Sequence, residues 1–282
     1  MTTPSIPTAC VIGWPIKHSR SPIIHRYWLQ QLGIAGDYVR HAVAPEDVGA
    51  FFRDFAKGPF IGANVTVPHK EAAFAAVSRA DAVATALGAV NTVWLEEGAL
   101  VGANTDAPGF LANLDQLAPG FDSAGGPAIV LGAGGAARAV IWALKARGFA
   151  PVHVVNRTRA RAEALAERFG PGIEAASFED LPALLPHAAL LVNTTSLGMQ
   201  GEPPLEIDLG PADDRLLVTD IVYIPLETPL LAAAKARGLR TVDGLGMLLH
   251  QAVPGFEHWF GQRPVVTDEL RALILADIGQ VA

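Results

Sequence analysis

The chain has 282 residues, of which 50% are hydrophobic and 17% are charged, and its formal net charge is −7. This composition excludes a disordered or fibrous chain, and the length suggests about two domains. A net-acidic chain lacks a global basic field for a nucleic-acid backbone, so general nucleic-acid binding is disfavoured.

The single cysteine, Cys10, lies in the apolar run Ala9-Cys10-Val11-Ile12. It cannot form an internal disulfide, so we expect a small buried hydrophobe and a cytoplasmic protein. We expect no secretory signal at residues 1–7 and no membrane-spanning helix, which needs about 20 apolar residues. The eight histidines show no metal-ligand spacing, and no metal is predicted.

In the first part of the chain, short apolar runs alternate with helical patterns. The pattern predicts strands over residues 8–12, 37–43, 60–67, 90–95 and 100–103, and helices over residues 22–32, over 45–56 and from Pro68 onward. Strands that alternate with helices form parallel sheets joined by crossovers, so the fold class is α/β.

A second series of elements starts near Asp106. It predicts helices over residues 109–117, 136–147 and 159–169, and strands over residues 128–131, 152–155, 190–192 and 216–221. This order is typical of a dinucleotide-binding fold. The segment after Gly244 is predicted to be helical again, with Leu248, Ala252, Phe256 and Trp259 on one face.

A glycine-rich run, Gly132-Ala133-Gly134-Gly135-Ala136-Ala137, follows a predicted strand and opens a predicted helix. Glycines there allow a tight turn and let backbone N–H groups approach a pyrophosphate at the helix N-terminus. The alternative is an ordinary glycine-rich turn. The strand-turn-helix context favours a dinucleotide site.

The next strand of this series ends at Asn156-Arg157-Thr158, where an acidic residue would bind the ribose of NAD. Arginines stand there instead, and cations at a helix N-terminus oppose its dipole unless an anion is present. A 2′-phosphate is such an anion, so we interpret Arg157 and Arg161 as selecting NADP. The alternative is a set of solvated surface arginines. Arg159 is expected to face solvent, and Thr158 to cap the helix.

A third run, Asn64-Val65-Thr66-Val67-Pro68-His69-Lys70, places Lys70 in the first turn of a predicted helix. The helix dipole disfavours a charged ammonium there, which suits a lysine that exchanges a proton with an alcohol or carbonyl oxygen. Taken alone, Lys70 is also consistent with a surface lysine. His18 and His69 are expected to be structural or solvent-facing.

Four further polar residues are ambiguous when taken singly. Asp106, in Asn104-Thr105-Asp106, is either a helix cap or a functional carboxylate. Asn91, taken alone, is equally ambiguous between a structural and a functional role. Ser19 and Ser21 precede a predicted helix, where Ser21 is a helix cap or both hydroxyls hold a carboxylate.

Taken together, these runs resemble the shikimate dehydrogenase family. The matching runs lie in order across nearly the whole chain: His18–Pro22, Asn64–Lys70, Gly88–Thr92, Asn104–Asp106, Gly132–Ala137, Asn156–Thr158, Asn193–Met199, Asp220–Tyr223 and Gly244–Gln251.

The resemblance implies reversible NADP-linked reduction of 3-dehydroshikimate to shikimate, in the chorismate branch of aromatic amino-acid biosynthesis. It implies a catalytic pair, Lys70 and Asp106. It implies substrate contacts from Ser19, Ser21, Thr66, Lys70, Asn91, Asp106, Tyr223 and Gln251. It implies NADP contacts from Gly132, Ala133, Gly134, Gly135, Ala136, Asn156, Arg157, Thr158, Arg161, Thr195, Ile221, Gly244 and Met247.

The resemblance also implies that one domain interrupts the other. Residues 1–105 with 246–282 would form an α/β substrate domain completed by C-terminal helices. Residues 106–245 would form a Rossmann-type NADP domain, with a cleft between the two. Met247 and Gln251, four residues apart, are expected on one helix face. The protein is expected to be a monomer or a homodimer.

Two questions stay open at this point. Asp106 favours a protonated Lys70 while the helix terminus disfavours it, so the resting state of Lys70 is undecided. The rival functions are a quinate/shikimate dehydrogenase with broader substrate or cofactor use and a non-catalytic cofactor-binding sensor. The latter is disfavoured because Lys70 and Asp106 are both present.

Overall fold

The computed structural model describes residues 6–281, and its chain forms two compact units. The first unit combines the residues up to Asp106 with those from Leu249 onward, and the second spans Ala107–Leu248. The sequence placed these boundaries at 105/106 and 245/246. The α/β fold class is confirmed.

The first unit contains a mixed sheet and the helices that flank its strands in the chain. Its elements are β1 (Thr8–Gly13), α1 (Ser21–Leu32), β2 (Asp37–Ala42), α2 (Val48–Arg53), β3 (Gly62–Val65), α3 (Lys70–Ala76), β4 (Arg79–Ala80), α4 (Ala82–Leu87), β5 (Thr92–Glu96) and β6 (Ala99–Ala103). The strand order is β2-β1-β3-β5-β6-β4. Strand β5 runs antiparallel to both β3 and β6, and the other pairs are parallel.

The second unit is built on an all-parallel sheet. Its elements are α5 (Asp106–Leu117, beginning at the boundary residue), β7 (Ala128–Leu131), α6 (Gly135–Ala146), β8 (Val152–Val155), α7 (Arg159–Phe169), β9 (Ile173–Ala176), α8 (Leu181–Leu184), β10 (Leu190–Asn193), β11 (Leu217–Asp220), α9 (Pro229–Ala236), β12 (Arg240–Val242) and α10 (Leu245–His250). The strand order is β9-β8-β7-β10-β11-β12, which is the 3-2-1-4-5-6 order of dinucleotide-binding folds.

The chain returns to the first unit at Leu249, within α10, and continues with α11 (Val253–Phe260) and α12 (Asp268–Val281). Trp259 of α11 donates its indole N–H to the Val93 carbonyl at 3.0 Å. A side chain at Gly62 would collide with the Trp259 ring, so glycine is required where this helix meets β3. The C-terminal helices therefore complete the first unit.

Apolar side chains alternate along β1 and supply two cores. Cys10 and Ile12 belong to one buried cluster, and Ala9 and Val11 belong to another together with Tyr38. A parallel strand buried on both faces has a continuous apolar sequence, which explains why this strand was predicted correctly. Burial raises the pKa of the Cys10 thiol, as expected for an inert buried cysteine.

Several predicted elements differ from the structure. The helix predicted over residues 45–56 is α2 followed by a 3-10 turn, Phe55–Lys57, and the strand predicted over 60–67 is limited to Gly62–Val65. The helix predicted from 109 starts at Asp106, because Pro108 lies in its first turn, where no N–H is needed. The segment predicted to be helical after Gly244 is interrupted at residues 251–252, so Leu248 and Phe256, predicted on one face, lie on different helices.

Candidate active site

Polar side chains of the first unit gather at one edge of its sheet. Thr66 follows β3, Asp106 follows β6, and Asn91 precedes β5. Because β5 runs antiparallel to β3 and β6, its beginning lies at the same edge as their ends. The edge includes the switch point between β1 and β3, where open α/β sheets bind ligands.

Lys70 and Asp106 form an ion pair at this edge. The Lys70 ammonium donates to Asp106 Oδ2 at 2.5 Å, and the two side chains are 30% and 17% exposed. Helix α3 begins at Lys70, so the lysine lies in the first turn as predicted. The pair therefore offers a half-buried proton-transfer group held by a carboxylate.

Asp106 is held from two further directions. Asn91 donates its amide to Asp106 Oδ1 at 2.9 Å and to the Thr105 hydroxyl at 3.0 Å. The Asp106 backbone N–H donates to Asn104 Oδ1 at 3.0 Å. Asn91, Asn104 and Thr105 are all buried. Both oxygens of the Asp106 carboxylate thus have a protein donor, which fixes its orientation toward Lys70.

A buried layer beneath this edge was not predicted from the sequence. The Tyr38 hydroxyl donates to Asn64 Oδ1 at 2.6 Å, and the Asn64 amide donates to the Thr92 hydroxyl at 3.1 Å. Thr92 in turn donates to Asn91 Oδ1 at 3.1 Å. The signal available in the sequence was Asn64 itself, a polar residue at the end of an otherwise apolar strand.

Ser19 and Ser21 lie together at the start of α1. Their hydroxyls are 3.2 Å apart, and the Ser21 backbone N–H donates to Ser19 Oγ at 3.3 Å. The prediction of Ser21 as a possible helix cap is wrong, because the cap position is Arg20 and no side chain caps it. Two hydroxyls beside a helix N-terminus suit a carboxylate ligand.

Gln251 lies in the turn after α10, not on a helix face shared with Met247 as predicted. The Gln251 carbonyl accepts a hydrogen bond from the Thr105 hydroxyl at 2.7 Å, which joins this turn to the Asp106 segment. His69 is buried, with Nε2 2.7 Å from the Val43 carbonyl, so it is structural, while His18 is exposed.

In the second unit, the glycine-rich turn connects β7 to α6. Gly132 has φ +102°, and a Cβ there would lie 2.9 Å from the side chains of Thr194 and Thr195. A Cβ at Gly134 or Gly135 would meet no atom within 4 Å. The turn therefore requires glycine at position 132, and it leaves open space next to Gly134 and Gly135. Ala133 and Ala136 are the neighbours of these glycines in the chain.

Arg157 and Arg161 are exposed at the start of α7, after β8. Within residues 6–281, neither guanidinium has an ion-pair partner, whereas Arg159 pairs with Glu163 at 3.1 Å. Asn156 donates to the Thr158 carbonyl at 2.8 Å. The prediction that Thr158 caps the helix is wrong in one respect: it holds the cap position, but its side chain makes no cap bond.

The loop after β10 is fixed by a buried carboxylate. Thr195 donates its backbone N–H and its hydroxyl to Asn193 Oδ1, at 3.0 and 2.7 Å. Asn193 donates to Asp220 Oδ1 at 3.0 Å, and Asp220 also accepts from the Thr228 hydroxyl at 2.8 Å. Burial raises the pKa of Asp220. The sequence analysis included Asp220 in a motif without assigning it this role.

The remaining predicted residues of the second unit lie after β11 and around α10. A Cβ at Gly244 would approach the Ile221 carbonyl oxygen to 2.4 Å, so these two residues are in backbone contact. Tyr223 and Met247 are partly exposed. In the part of the chain that the structure describes, no group of three or more His, Cys, Asp or Glu side chains is arranged for a metal ion. The absence of a metal stays a prediction.

The fold and these residues define a class of two-unit α/β proteins with a dinucleotide-binding unit. This class is recognised by two features of the chain. It combines a parallel sheet in dinucleotide-binding order with a second α/β unit that carries a lysine–aspartate pair. Over the described residues, no helix is long and apolar enough to cross a membrane.

Comparison with known proteins places the chain more narrowly. It matches the family descriptions "Shikimate dehydrogenase substrate binding domain" over residues 11–93, "Shikimate / quinate 5-dehydrogenase" over 117–199 and "Shikimate 5'-dehydrogenase C-terminal domain" over 244–267. It is 60% identical to the shikimate dehydrogenase (NADP(+)) of Azorhizobium caulinodans over 268 residues, which covers 95% of each chain. The chain therefore belongs to the shikimate dehydrogenase family.

The chain is also similar to solved structures of shikimate and quinate dehydrogenases. The shikimate 5-dehydrogenase of Thermus thermophilus, in complex with NADP(H) and shikimate, is 39% identical with a TM-score of 0.84, covering 96% of this chain and 100% of that one. The quinate dehydrogenase of Corynebacterium glutamicum, in complex with NAD, is 30% identical with a TM-score of 0.87, covering 96% and 99%.

Proposed function

We propose that this protein is an NADP-dependent shikimate dehydrogenase that reversibly reduces 3-dehydroshikimate to shikimate in aromatic amino-acid biosynthesis. The observation that carries the proposal is the Lys70–Asp106 pair at 2.5 Å, held by Asn91 at the ligand-binding edge of the first unit. The names of the relatives, shikimate dehydrogenase (NADP(+)), support the substrate and the cofactor.

The first unit binds the substrate. Ser19 and Ser21, whose hydroxyls lie 3.2 Å apart, hold its carboxylate at the N-terminus of α1. The ring hydroxyls and the reacting oxygen are bound at the sheet edge by Thr66, Lys70, Asn91, Asp106 and Gln251. A substrate contact from Tyr223 stays a prediction from the sequence.

The second unit binds NADP, and its residues fit that cofactor. The open space at Gly134 and Gly135 admits a pyrophosphate against the N-terminus of α6, an N-terminus with no acidic side chain in its first turn. The guanidiniums of Arg157 and Arg161, which have no ion-pair partner among the residues that the structure describes, suit a 2′-phosphate. Gly132, Ala133, Ala136, Asn156, Thr158, Thr195, Ile221, Gly244 and Met247 complete the NADP site.

When bound, NADP supplies the hydride chemistry. The protein's own residues manage one proton. In the oxidation direction, neutral Lys70 accepts the proton of the reacting hydroxyl, and in the reduction direction, protonated Lys70 donates it to the forming alkoxide. Asp106 orients the Lys70 ammonium and binds a neighbouring hydroxyl.

Quinate/shikimate dehydrogenase activity is the second candidate, because the quinate dehydrogenase structure has a TM-score of 0.87 to this chain. The absence of an acidic side chain at Asn156-Arg157-Thr158 argues against NAD as the preferred cofactor. It does not distinguish the substrates.

An absorbance assay at the NADPH band tests both candidates. We expect turnover of 3-dehydroshikimate with NADPH and of shikimate with NADP⁺, and much slower turnover of quinate or with NAD⁺. A clear NAD preference would contradict the role of the arginines. Comparable quinate turnover would favour the second candidate.

Other features stay predictions from the sequence: a shared cleft, a cytoplasmic location, a monomer or a homodimer, and no nucleic-acid or membrane partner. Light scattering on the purified protein measures the oligomeric state directly.

A further inference from the structure

Arg20, which lies between Ser19 and Ser21, is tied to the last helix of the chain. Its guanidinium Nε donates to Asp277 Oδ2 of α12 at 2.8 Å, across 257 residues of sequence. The Arg20 side chain is only 9% exposed, and the Asp277 side chain is 33% exposed. No role in the reaction was predicted for either residue.

Burial makes this pair different from an ordinary surface ion pair. An exposed pair contributes little to stability, but removing one partner of a buried pair leaves an uncompensated charge. The first unit offers an exposed comparison on the same helix: Arg26 of α1 pairs with Asp37 at 2.8 Å and is 54% exposed. Arg20 therefore depends on Asp277 in a way that Arg26 does not depend on Asp37.

The backbone of Arg20 sets the start of α1. Arg20 occupies the cap position, and its carbonyl accepts from the backbone N–H groups of Ile23 and Ile24 at 3.0 and 3.3 Å. Ser19 and Ser21 are its direct neighbours, so a displacement of Arg20 moves both hydroxyls.

Helix α12, which carries Asp277, is fixed in place by several contacts. The segment before it accepts the Trp28 indole N–H at the Val265 carbonyl, at 3.0 Å, and Thr267 lies 3.2 Å from the Tyr27 hydroxyl. Leu270 and Ile274 of α12 are fully buried. The helix is therefore docked along α1 at several points, with Asp277 near its far end.

We infer that Asp277 is a positioning residue for the substrate carboxylate: by holding Arg20, it fixes the two serine hydroxyls that bind that carboxylate. The inference rests on the proposed function, because the carboxylate is that of a shikimate-like ring acid. Asp277 itself does not touch the substrate.

The test compares Asp277→Asn, Arg20→Gln and the double variant with the wild-type protein. We expect each single variant to raise the KM for shikimate about tenfold, since small misplacements of binding groups have large effects. The KM for NADP⁺ stays within about twofold. The double variant is no worse than either single variant, because both remove the same interaction.

A second readout separates positioning from general loosening. Methyl esterification of shikimate changes only its carboxylate group, which loses its charge and gains a methyl group, so the change between variants in the ratio of the two kcat/KM values reports on the serine site. We expect this ratio to fall about tenfold in Asp277→Asn and to be unchanged in the control Arg26→Gln. If the neutral variants do not fold, Asp277→Glu keeps the charge but shifts it, and we expect about a threefold rise in the shikimate KM.

An unchanged shikimate KM, or an equal loss toward shikimate and its ester, would overturn the inference. The activity of the wild-type protein distinguishes a failure of this inference from a failure of the proposed function. If the wild type turns over shikimate and the variants behave as the wild type, only the role of Asp277 is rejected, whereas a wild type inactive with shikimate rejects the proposed function.

Discussion

Lys70 is half-buried and is held by one ion pair. The effect of replacing Lys70 on turnover follows from this position. The ammonium lies 2.5 Å from Asp106 Oδ2. We predict that Lys70→Ala lowers kcat by about 10²-fold or more, as is usual for the loss of a general acid–base group, with a smaller effect on shikimate binding. Steady-state kinetics checks this.

The matched control for that variant is Lys57→Ala. Lys57 is a lysine of the same unit, 84% exposed and paired with Asp54 at 3.6 Å. It should leave kcat unchanged. Unchanged turnover in Lys70→Ala would reject the assignment of Lys70 as the proton-transfer group.

His25 makes a second prediction at this scale, concerning stability. It is fully buried, stacks on Tyr38 with ring centroids 4.0 Å apart, and among the described residues neither ring nitrogen has a hydrogen-bond partner. Burial lowers the pKa of His25 to about 3. The ring is therefore neutral in the folded protein at neutral pH.

The sign of the pH effect follows from this pKa. In the unfolded chain the imidazole has a pKa of about 6.5, so below that pH the unfolded state gains a proton that the folded state does not. Stability is lost as the pH falls from about 6.5 toward 3. At pH 4.5 the loss from this group is about 3 kcal/mol, from about two pKa units at 1.36 kcal/mol each.

We predict that His25→Phe, which keeps a ring of similar shape, raises the free energy of unfolding at pH 7 by about 1–3 kcal/mol. Its advantage over the wild type should grow by about 3 kcal/mol at pH 4.5. Urea titrations at the two pH values measure this, with exposed His187→Gln as the control. An advantage that does not change with pH would contradict the burial argument.

At the scale of elements, the start of α7 is where we propose that the cofactor is selected. Arg157 and Arg161 have no ion-pair partner within residues 6–281, while the neighbouring Arg159 pairs with Glu163. Unpaired cations at a helix N-terminus are unfavourable until an anion binds. The guanidiniums of Arg157 and Arg161 are therefore available to bind a phosphate, whereas that of Arg159 is already paired.

We predict that the double variant Arg157→Ala/Arg161→Ala raises the KM for NADP⁺ by about 10- to 100-fold, the usual range for lost charge-assisted hydrogen bonds. The KM for NAD⁺ should change by less than about twofold, and Arg159→Ala should resemble the wild type. Kinetics with both cofactors checks this. Equal losses toward the two cofactors would mean that the arginines do not read the 2′-phosphate.

At the scale of the whole molecule, the two units provide a separate test of the domain roles. The second unit is one continuous segment, Ala107–Leu248, inserted into the first. Each unit has its own buried core, such as the cluster of Ile129, Leu191 and Val218 in the second. Ligands that bind different units should therefore protect different parts of the chain.

We predict that NADP⁺ slows amide hydrogen exchange mainly within residues 107–248, and that shikimate slows it mainly within residues 6–106 and 249–279. Ligand binding stabilises only the states that bind the ligand, so local protection marks the unit concerned. Hydrogen-exchange mass spectrometry with each ligand alone measures this. Protection by NADP⁺ centred on the first unit would contradict the assignment.

The sequence by itself determined the fold class, and it predicted the candidate site residues. Buried parallel strands such as β7 and β8 have continuous apolar runs, and the glycines after β7 follow from the geometry of a tight turn, so both are visible in local sequence. The start of α5 was placed less well, at residue 109 instead of Asp106, because proline in the first turn of a helix is a weak local signal for where the helix begins.

Only the tertiary structure decided which residues support that site. The Tyr38–Asn64–Thr92 layer, the Asp220 contacts and the Arg20–Asp277 pair each join residues from distant parts of the chain. Local patterns reflect turns, caps and periodicity, which involve neighbours in sequence. A partly buried hydrogen bond between residues 257 positions apart depends on the packing of whole elements, so no local pattern indicates it.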